Sequence, residues 1–167
     1  KKNFIADLTL FSTQIDDLIG YGPAPGYKYS NQGSSKNNGI EIFIKYFPNN
    51  QITFNSHYNF LTTNNNGRSL SRRRKHSGKT SINWIPKEFS NLSLNSSVEY
   101  HSNARDGAFT GGHIAGYSLL HSNINYNLDS KTKIQFKIEN MLDQKYSESD
   151  TAGTYGRTLS LGVKLTF

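Results

Sequence analysis

Three histidines stand directly before serines, at His76-Ser77, His101-Ser102 and His121-Ser122, and a histidine beside a hydroxyl is the pairing that activates a serine nucleophile. All three pairs fall where polar and apolar residues alternate. Adjacent side chains of a strand point to opposite faces, so the members of each pair cannot reach one another. The nucleophile-elbow pattern G-x-S-x-G is also missing. These residues therefore predict no enzyme.

Two further groups of residues could bind ligands. His101 and His113 flank one loop with matching strand parity, a pairing open to metal or haem, although spacing across a hairpin is unspecific and polar histidines without a ligand fit equally well. No cofactor is expected. Arg72-Arg73-Arg74-Lys75, in a chain of net charge +7, has the character of a phosphate-binding run, and the bland alternative is a solvated basic stretch. The run opens a strand pattern, which predicts Arg72 and Arg74 on one face and Arg73 and Lys75 on the other.

Eight segments of period two must position these groups, near residues 3–16, 37–47, 50–64, 72–85, 91–104, 113–128, 131–145 and 156–167. Ile40, Ile42, Ile44 and Tyr46 share one face of the second, and Ile134, Phe136, Ile138 and Leu142 one face of the seventh. The opposite faces are mostly Asn, Ser, Thr, Lys, Gln and Glu, which suits a water-filled interior. Connections alternate in length. Pro48-Asn49, Pro86 to Ser90 and Asp129-Ser130 are tight, whereas Asp17 to Lys36, Asn65 to Ser71, Arg105 to Gly112 and Gln144 to Tyr155 are long.

The final strand pattern has Leu159, Leu161, Val163, Leu165 and Phe167 on one face and Thr158, Ser160, Gly162, Lys164 and Thr166 on the other. Only 34% of residues are hydrophobic and the mean hydropathy is -0.65, too polar for helical membrane spans. Barrel strands need an apolar residue only at alternate positions, so a polar average can conceal a lipid-facing belt. The expected fold is all-β, an antiparallel transmembrane β-barrel segment of about eight strands with short periplasmic turns and long extracellular loops. A soluble β-sandwich also alternates, but Ser96, Gly116, Ser118 and Ser122 would fill its inner faces poorly. Zero cysteines is compatible with this reading without demonstrating it.

Ser160, Gly162, Leu165 and Phe167 occupy the positions of the C-terminal assembly signal of bacterial outer-membrane barrels, which this segment resembles. Ile138-Glu139-Asn140-Met141-Leu142-Asp143-Gln144-Lys145-Tyr146 is similar to the "(hydrophobe)-x-N-L-F-D-x-x-Y" stretch in the penultimate strand of TonB-dependent receptors, with Met141 and Leu142 as conservative departures. Within that family, Arg72 to Lys75 leading through Thr80 to Trp84, together with Tyr155-Gly156-Arg157, looks most like the cobalamin transporters. The resemblance implies uptake of a scarce large nutrient, such as cobalamin, siderophore-bound iron or haem, energised by TonB. Residues 1–167 would then be the C-terminal part of the receptor barrel, of about 22 strands in full. The plug and the TonB-contacting part would lie upstream, because the chain opens on Lys1-Lys2-Asn3-Phe4-Ile5 with neither an initiator Met nor a signal peptide.

On that reading the partners are outer-membrane lipid, lipopolysaccharide, the barrel-assembly machinery, TonB and the nutrient, and no nucleic acid. Arg72, Arg73, Arg74 and Lys75 become candidate contacts to lipopolysaccharide phosphate near the extracellular rim. Tyr21, Tyr27 and Tyr29, in the Pro- and Gly-rich first loop, become candidate substrate contacts. Aromatic girdles are expected from Tyr46, Phe47, Trp84, Phe89, Tyr126 and Phe167 at the periplasmic ends and from Tyr58, Phe60, Tyr100, Tyr117 and Tyr146 at the other. The alternative is a self-contained eight-stranded barrel with an adhesion or membrane-integrity role.

Overall fold

The computed structural model describes residues 3–21, 28–106, 112–149 and 152–167. One antiparallel sheet dominates. Its strands, in spatial order, are β1 (Phe4–Ile15), β4 (Ser35–Tyr46), β5 (Ile52–Asn65), β6 (His76–Trp84), β7 (Leu92–His101), β10 (Tyr117–Asn127), β11 (Thr132–Glu139) and β12 (Thr158–Leu165). Each strand pairs with its sequence neighbour in the sheet, so this is an up-and-down meander. Two small hairpins, β2 (Ile19–Tyr21) with β3 (Tyr29–Asn31) and β8 (Ala104–Asp106) with β9 (Gly112–Ile114), lie within long connections. β1 and β12 are the two edges, so the eight strands form an open strip rather than a ring closed on itself.

Register turns the alternation of each strand into two continuous faces. One row runs Leu8, Ile42, Tyr58, Gly78, Tyr100; another runs Trp84, Leu94, Ile124, Phe136, Leu161. The opposite face carries Asp7, Phe43, His57, Lys79 and Glu99 in one row and Asn83, Asn95, Asn123, Lys137 and Ser160 in another. A one-residue slip in any strand would exchange the faces, so the apolar set specifies the pairing.

Burial decides what the apolar face meets. Among the described apolar residues only Ala104, Ile114, Tyr117 and Leu119 are buried, while Leu10 is 70% and Leu161 74% exposed. No second sheet packs on this one among the described residues, which removes the β-sandwich. Leaving a Leu or Ile side chain in water forgoes about 1.5–3 kcal/mol, repeated across the whole belt. Lipid is the solvent that makes such a face stable, and the sheet supplies its own backbone hydrogen bonds there. Hydroxyl groups on the same face are paired across strands, Ser56 with Thr80 at 3.0 Å and Ser96 with Ser122 at 3.2 Å.

The aromatic rims follow in part. Tyr46 stacks on Phe54 near the short turns, with Trp84 and Tyr126 in the same belt, and Tyr58 and Tyr100 flank Gly78 toward the long loops. Tyr117 and Tyr146 depart from the expected girdle. Their rings lie 4.5 Å apart, and Tyr117 sits on the polar face opposite His101, packed against protein.

Several strand limits also differ from the expectation. The fifth and sixth segments give up their long-loop ends to the β8–β9 hairpin, so β7 ends at His101 and β10 begins at Tyr117. Three others differ, each for a local reason. The fourth sheet strand starts at His76 instead of residue 72, because Arg72 has φ 58° and sits in a turn. Strict alternation of Arg72 to Lys75 therefore fails. The seventh stops at Glu139 because Asn140 takes φ 49°. The eighth stops at Leu165, with Thr166 N still donating to Lys131 O at 2.9 Å and Phe167 fully exposed beyond it. Gly39 marks a close approach inside the sheet: the Phe11 ring covers it, and an added Cβ would lie 2.2 Å from Phe11 Cζ and 2.6 Å from Phe60 O.

Candidate functional site

The polar face is a groove of balanced charge. His101 Nε2 lies 2.7 Å from Glu99 Oε1, Lys79 Nζ lies 3.7 Å from Glu99 Oε2, and Lys137 pairs with Glu139 at 2.7 Å. A cavity of about 400 Å3 is lined by Glu41, His57, Lys79, Glu99 and His101. Solvent-accessible pairs of this kind contribute little stability, about 0–1 kcal/mol each, and their main consequence is a hydrophilic, hydrogen-bonding wall. The histidines are held by ordinary partners. Tyr58 Oη meets His76 Nδ1 at 2.7 Å, Asn140 N donates to His121 Nδ1 at 3.4 Å, and Asn103 Nδ2 meets His113 Nε2 at 3.1 Å. His101 faces Glu99 while His113 faces Asn103, so the two are not brought together as a ligand pair. Among the described residues no group of three or more His, Cys, Asp or Glu could hold a metal ion.

The long-loop rim is where the chain converges. Arg72 Nε donates to Asp106 Oδ1 at 3.0 Å, and the Asp106 side chain is only 1% exposed. The Arg72 amide donates to Arg105 O at 2.8 Å, and Arg105 Nη2 donates to Ser69 O at 3.0 Å, so residues 66–75 and β8 are cross-linked along the backbone. Arg74 reaches further. Its Nη1 donates to Ser102 O and to Ala115 O at 3.3 Å, its Nη2 donates to Ser147 O at 3.2 Å, and its Cζ lies 4.8 Å from the centre of the Tyr117 ring. A planar guanidinium has five N–H groups and no acceptor, which suits one side chain to several carbonyls at once. Arg72 and Arg74 thus hydrogen-bond to the protein itself, whereas Arg73 is exposed and the side chain of the exposed Lys75 touches only the Phe60 ring among the contacts of the described residues.

The family-like stretch beginning at Ile138 builds the adjacent turn. Asn140 is 3% exposed; its Nδ2 donates to Gln144 O and its Oδ1 accepts from Gln144 N, both at 2.9 Å. Asp143 takes φ 54° and its Oδ1 accepts from Arg157 N at 2.8 Å, joining the two ends of the last long connection. Asn and Asp tolerate the left-handed conformation better than other side chains, which accounts for their presence at both positions. The same turn carries Tyr146 onto Tyr117.

The remaining candidates fall in separate places. Tyr21 and Tyr29 are backbone partners in the register of the β2–β3 hairpin, Tyr29 is 77% exposed, and Tyr27 lies outside the described residues. Ser160 and Gly162 share the polar face of β12, opposite Lys137 and Gln135, while Leu165 lies on the apolar face opposite Thr132. Asp106, Asn103 and the Tyr117–Tyr146 pair were not legible as site residues. Their partners are 10 to 34 positions away, and of these residues Tyr146 alone falls in a recognisable stretch, the one beginning at Ile138.

Comparison with known proteins agrees with this geometry. A family model described as TonB dependent receptor-like, beta-barrel, matches residues 1–141. No curated protein matches the chain in sequence. Among solved structures it is similar to the siderophore receptor PiuA of Acinetobacter baumannii, with TM-score 0.74 and 16% identity over 98% of this chain and 26% of that one. The copper transporter OprC gives TM-score 0.83 and 16% identity over 100% of this chain and 29% of the other. The ferripyoverdine receptor of the outer membrane of Pseudomonas aeruginosa gives TM-score 0.80 and 13% identity over 98% and 25%. The chain therefore spans between 25% and 29% of the length of these relatives. With the matched family covering most of its residues and the two-faced sheet that such a wall requires, this chain belongs to the TonB-dependent receptor family and forms a strip of its outer-membrane β-barrel.

Proposed function

We propose that the chain serves in a receptor that imports a scarce large nutrient across the outer membrane with energy delivered through TonB, and that it supplies barrel wall and extracellular loops. The observation that carries this reading is the continuous apolar belt on one face backed by a hydrophilic groove on the other, in a chain of this family. Cobalamin, siderophore-bound iron and haem are the proposed substrate classes. Similarity to a siderophore receptor supports an iron chelate, and the Arg72 to Trp84 and Tyr155-Gly156-Arg157 segments support cobalamin. Contact with TonB is assigned to parts of the receptor outside this chain. Tyr21, Tyr27 and Tyr29 are the proposed loop contacts to substrate.

Cells lacking the receptor should lose growth when one of these nutrients is the sole source, and deleting TonB should cause the same loss. Unchanged uptake of all three would overturn the reading. Ser160, Gly162, Leu165 and Phe167 are proposed as the element read by the assembly machinery. Phe167→Asp in the intact receptor should lower its surface level, and normal surface display would remove that role.

A further inference from the structure

The rim separates its cations into two kinds. Arg72 is neutralised by Asp106, and Arg74 is held by three carbonyls and an aromatic ring. Arg73, Lys75 and Arg105 instead line a cleft of about 400 Å3 between the end of β5, the 66–75 connection and the β8–β9 hairpin, together with Ser69, Asn103 and His113. No carboxylate is among the residues lining it, and the sequence of residues 107–111 contains no acidic side chain. The one carboxylate of that hairpin, Asp106, is buried against Arg72.

We propose that this cleft binds a multiply charged oxyanion of the phosphate class, held by Arg73, Lys75 and Arg105. Three like charges around one cleft repel one another, and an anion placed among them converts that repulsion into attraction. The donors are prepared for it. Arg105 has one N–H on Ser69 O, which anchors at the cleft a guanidinium that carries five N–H groups in all. Guanidinium groups match phosphate oxygens in bidentate fashion, and a lysine adds a point charge. Asn103 and His113 contribute a polar flank through their mutual contact.

Position supports the same chemistry. Lys75 Nζ lies 5.5 Å from the centre of the Phe60 ring, and Phe60 continues the apolar row of Leu10 and Ile40. The cleft itself includes Leu61 and Thr63, of polar-face parity, so it stands at the long-loop rim where the two faces of the sheet meet. Phosphate there can come from the head group of an outer-leaflet lipid or from an anionic solute, and both present the same oxygens.

The test uses the intact receptor and its R73Q/K75Q/R105Q variant, with two probes: inorganic pyrophosphate followed by calorimetry, and nanodiscs of phosphatidylglycerol compared with phosphatidylcholine followed by thermal unfolding. At least one probe should bind the parent protein, with its Kd raised about tenfold or more in the variant and its binding weakened by added salt. A difference confined to pyrophosphate assigns a soluble anion, and one confined to phosphatidylglycerol assigns a head group. Should the triple variant fail to assemble, R73Q and K75Q, both at exposed side chains, carry the same comparison singly. Equal binding by parent and variants, or binding of neither probe, overturns the proposal. Neither probe requires transport, so this outcome is separable from that of the uptake experiment.

Discussion

Arg74→Ala is expected to release the last long connection while the eight-stranded sheet stays paired. Of the four Arg74 contacts, those to Ser102 O and Ala115 O lie within its own neighbourhood of the rim, and the bond to Ser147 O reaches across to residues 140–157. The ring of Tyr117, which Arg74 covers, also supports Tyr146 of that connection. A hydrogen bond from a charged donor contributes about 1.5–3 kcal/mol, and a cation over an accessible ring adds about 0.5–1 kcal/mol. The half-exposed rim keeps the sum near the lower part of that range, about 2–3 kcal/mol for holding the connection. At 1.4 kcal/mol per factor of ten, the connection should open about 30- to 150-fold more often. Amide hydrogen exchange of the intact receptor in detergent reads this directly, as faster exchange at residues 144–149 with β7 and β10 unchanged. Arg74→Lys keeps the charge without the planar fork and should fall between the two. Unaltered exchange at 144–149 in Arg74→Ala would refute the reasoning, as would an equal acceleration throughout the sheet.

Other perturbations test the sheet and its turns. Gly39→Ala forces a Cβ into the Phe11 ring and toward Phe60 O, and should lower stability by about 1–3 kcal/mol in thermal unfolding; adding Phe11→Ala should relieve only the ring clash. Asn140→Ala removes both bonds to Gln144 and leaves an alanine at positive φ, a loss of about 2–4 kcal/mol, whereas Asn140→Gly avoids the backbone strain and should lose less. Asp129, in a short turn, has its carboxyl held below the ordinary value of 3.8 by the amides of Lys131 and Thr132, each donating to Oδ1 at 2.8 Å. Because the folded value is the lower one, this turn's contribution is complete above the unfolded pKa and disappears as pH falls through the folded pKa. A carbon-13 titration midpoint for Asp129 at or above 3.8 would contradict the turn geometry.

Much of the wall was legible because its rule is local. Alternation at Ile40, Ile42 and Ile44 or at Ile134, Phe136 and Ile138 fixes both strand and face, and the alternation of short and long connections orders the meander. The errors lie where one residue leaves that rule. Arg72 and Asn140 adopt positive φ and end strand patterns that composition alone would extend. The β2–β3 and β8–β9 hairpins have strands of three residues, too short for a period to register. The rim arrangement was hidden for a different reason. Arg74 meets Ser147 across 73 positions, and Arg72 meets Asp106 across 34, so the basic run reads as four equivalent cations until the fold divides them.

The most direct measurement concerns which solvent wets each face. The chain has no cysteine, so single cysteines at Ile42, Phe136 and Val163 on the apolar face, and at Glu41, Gln135 and Lys164 on the polar face, give unique label sites within it. In reconstituted membranes a lipid-dissolved quencher should reach labels at the first three, and a water-soluble quencher labels at the second three. Shielding of Ile42, Phe136 and Val163 from the lipid-dissolved quencher would contradict the account.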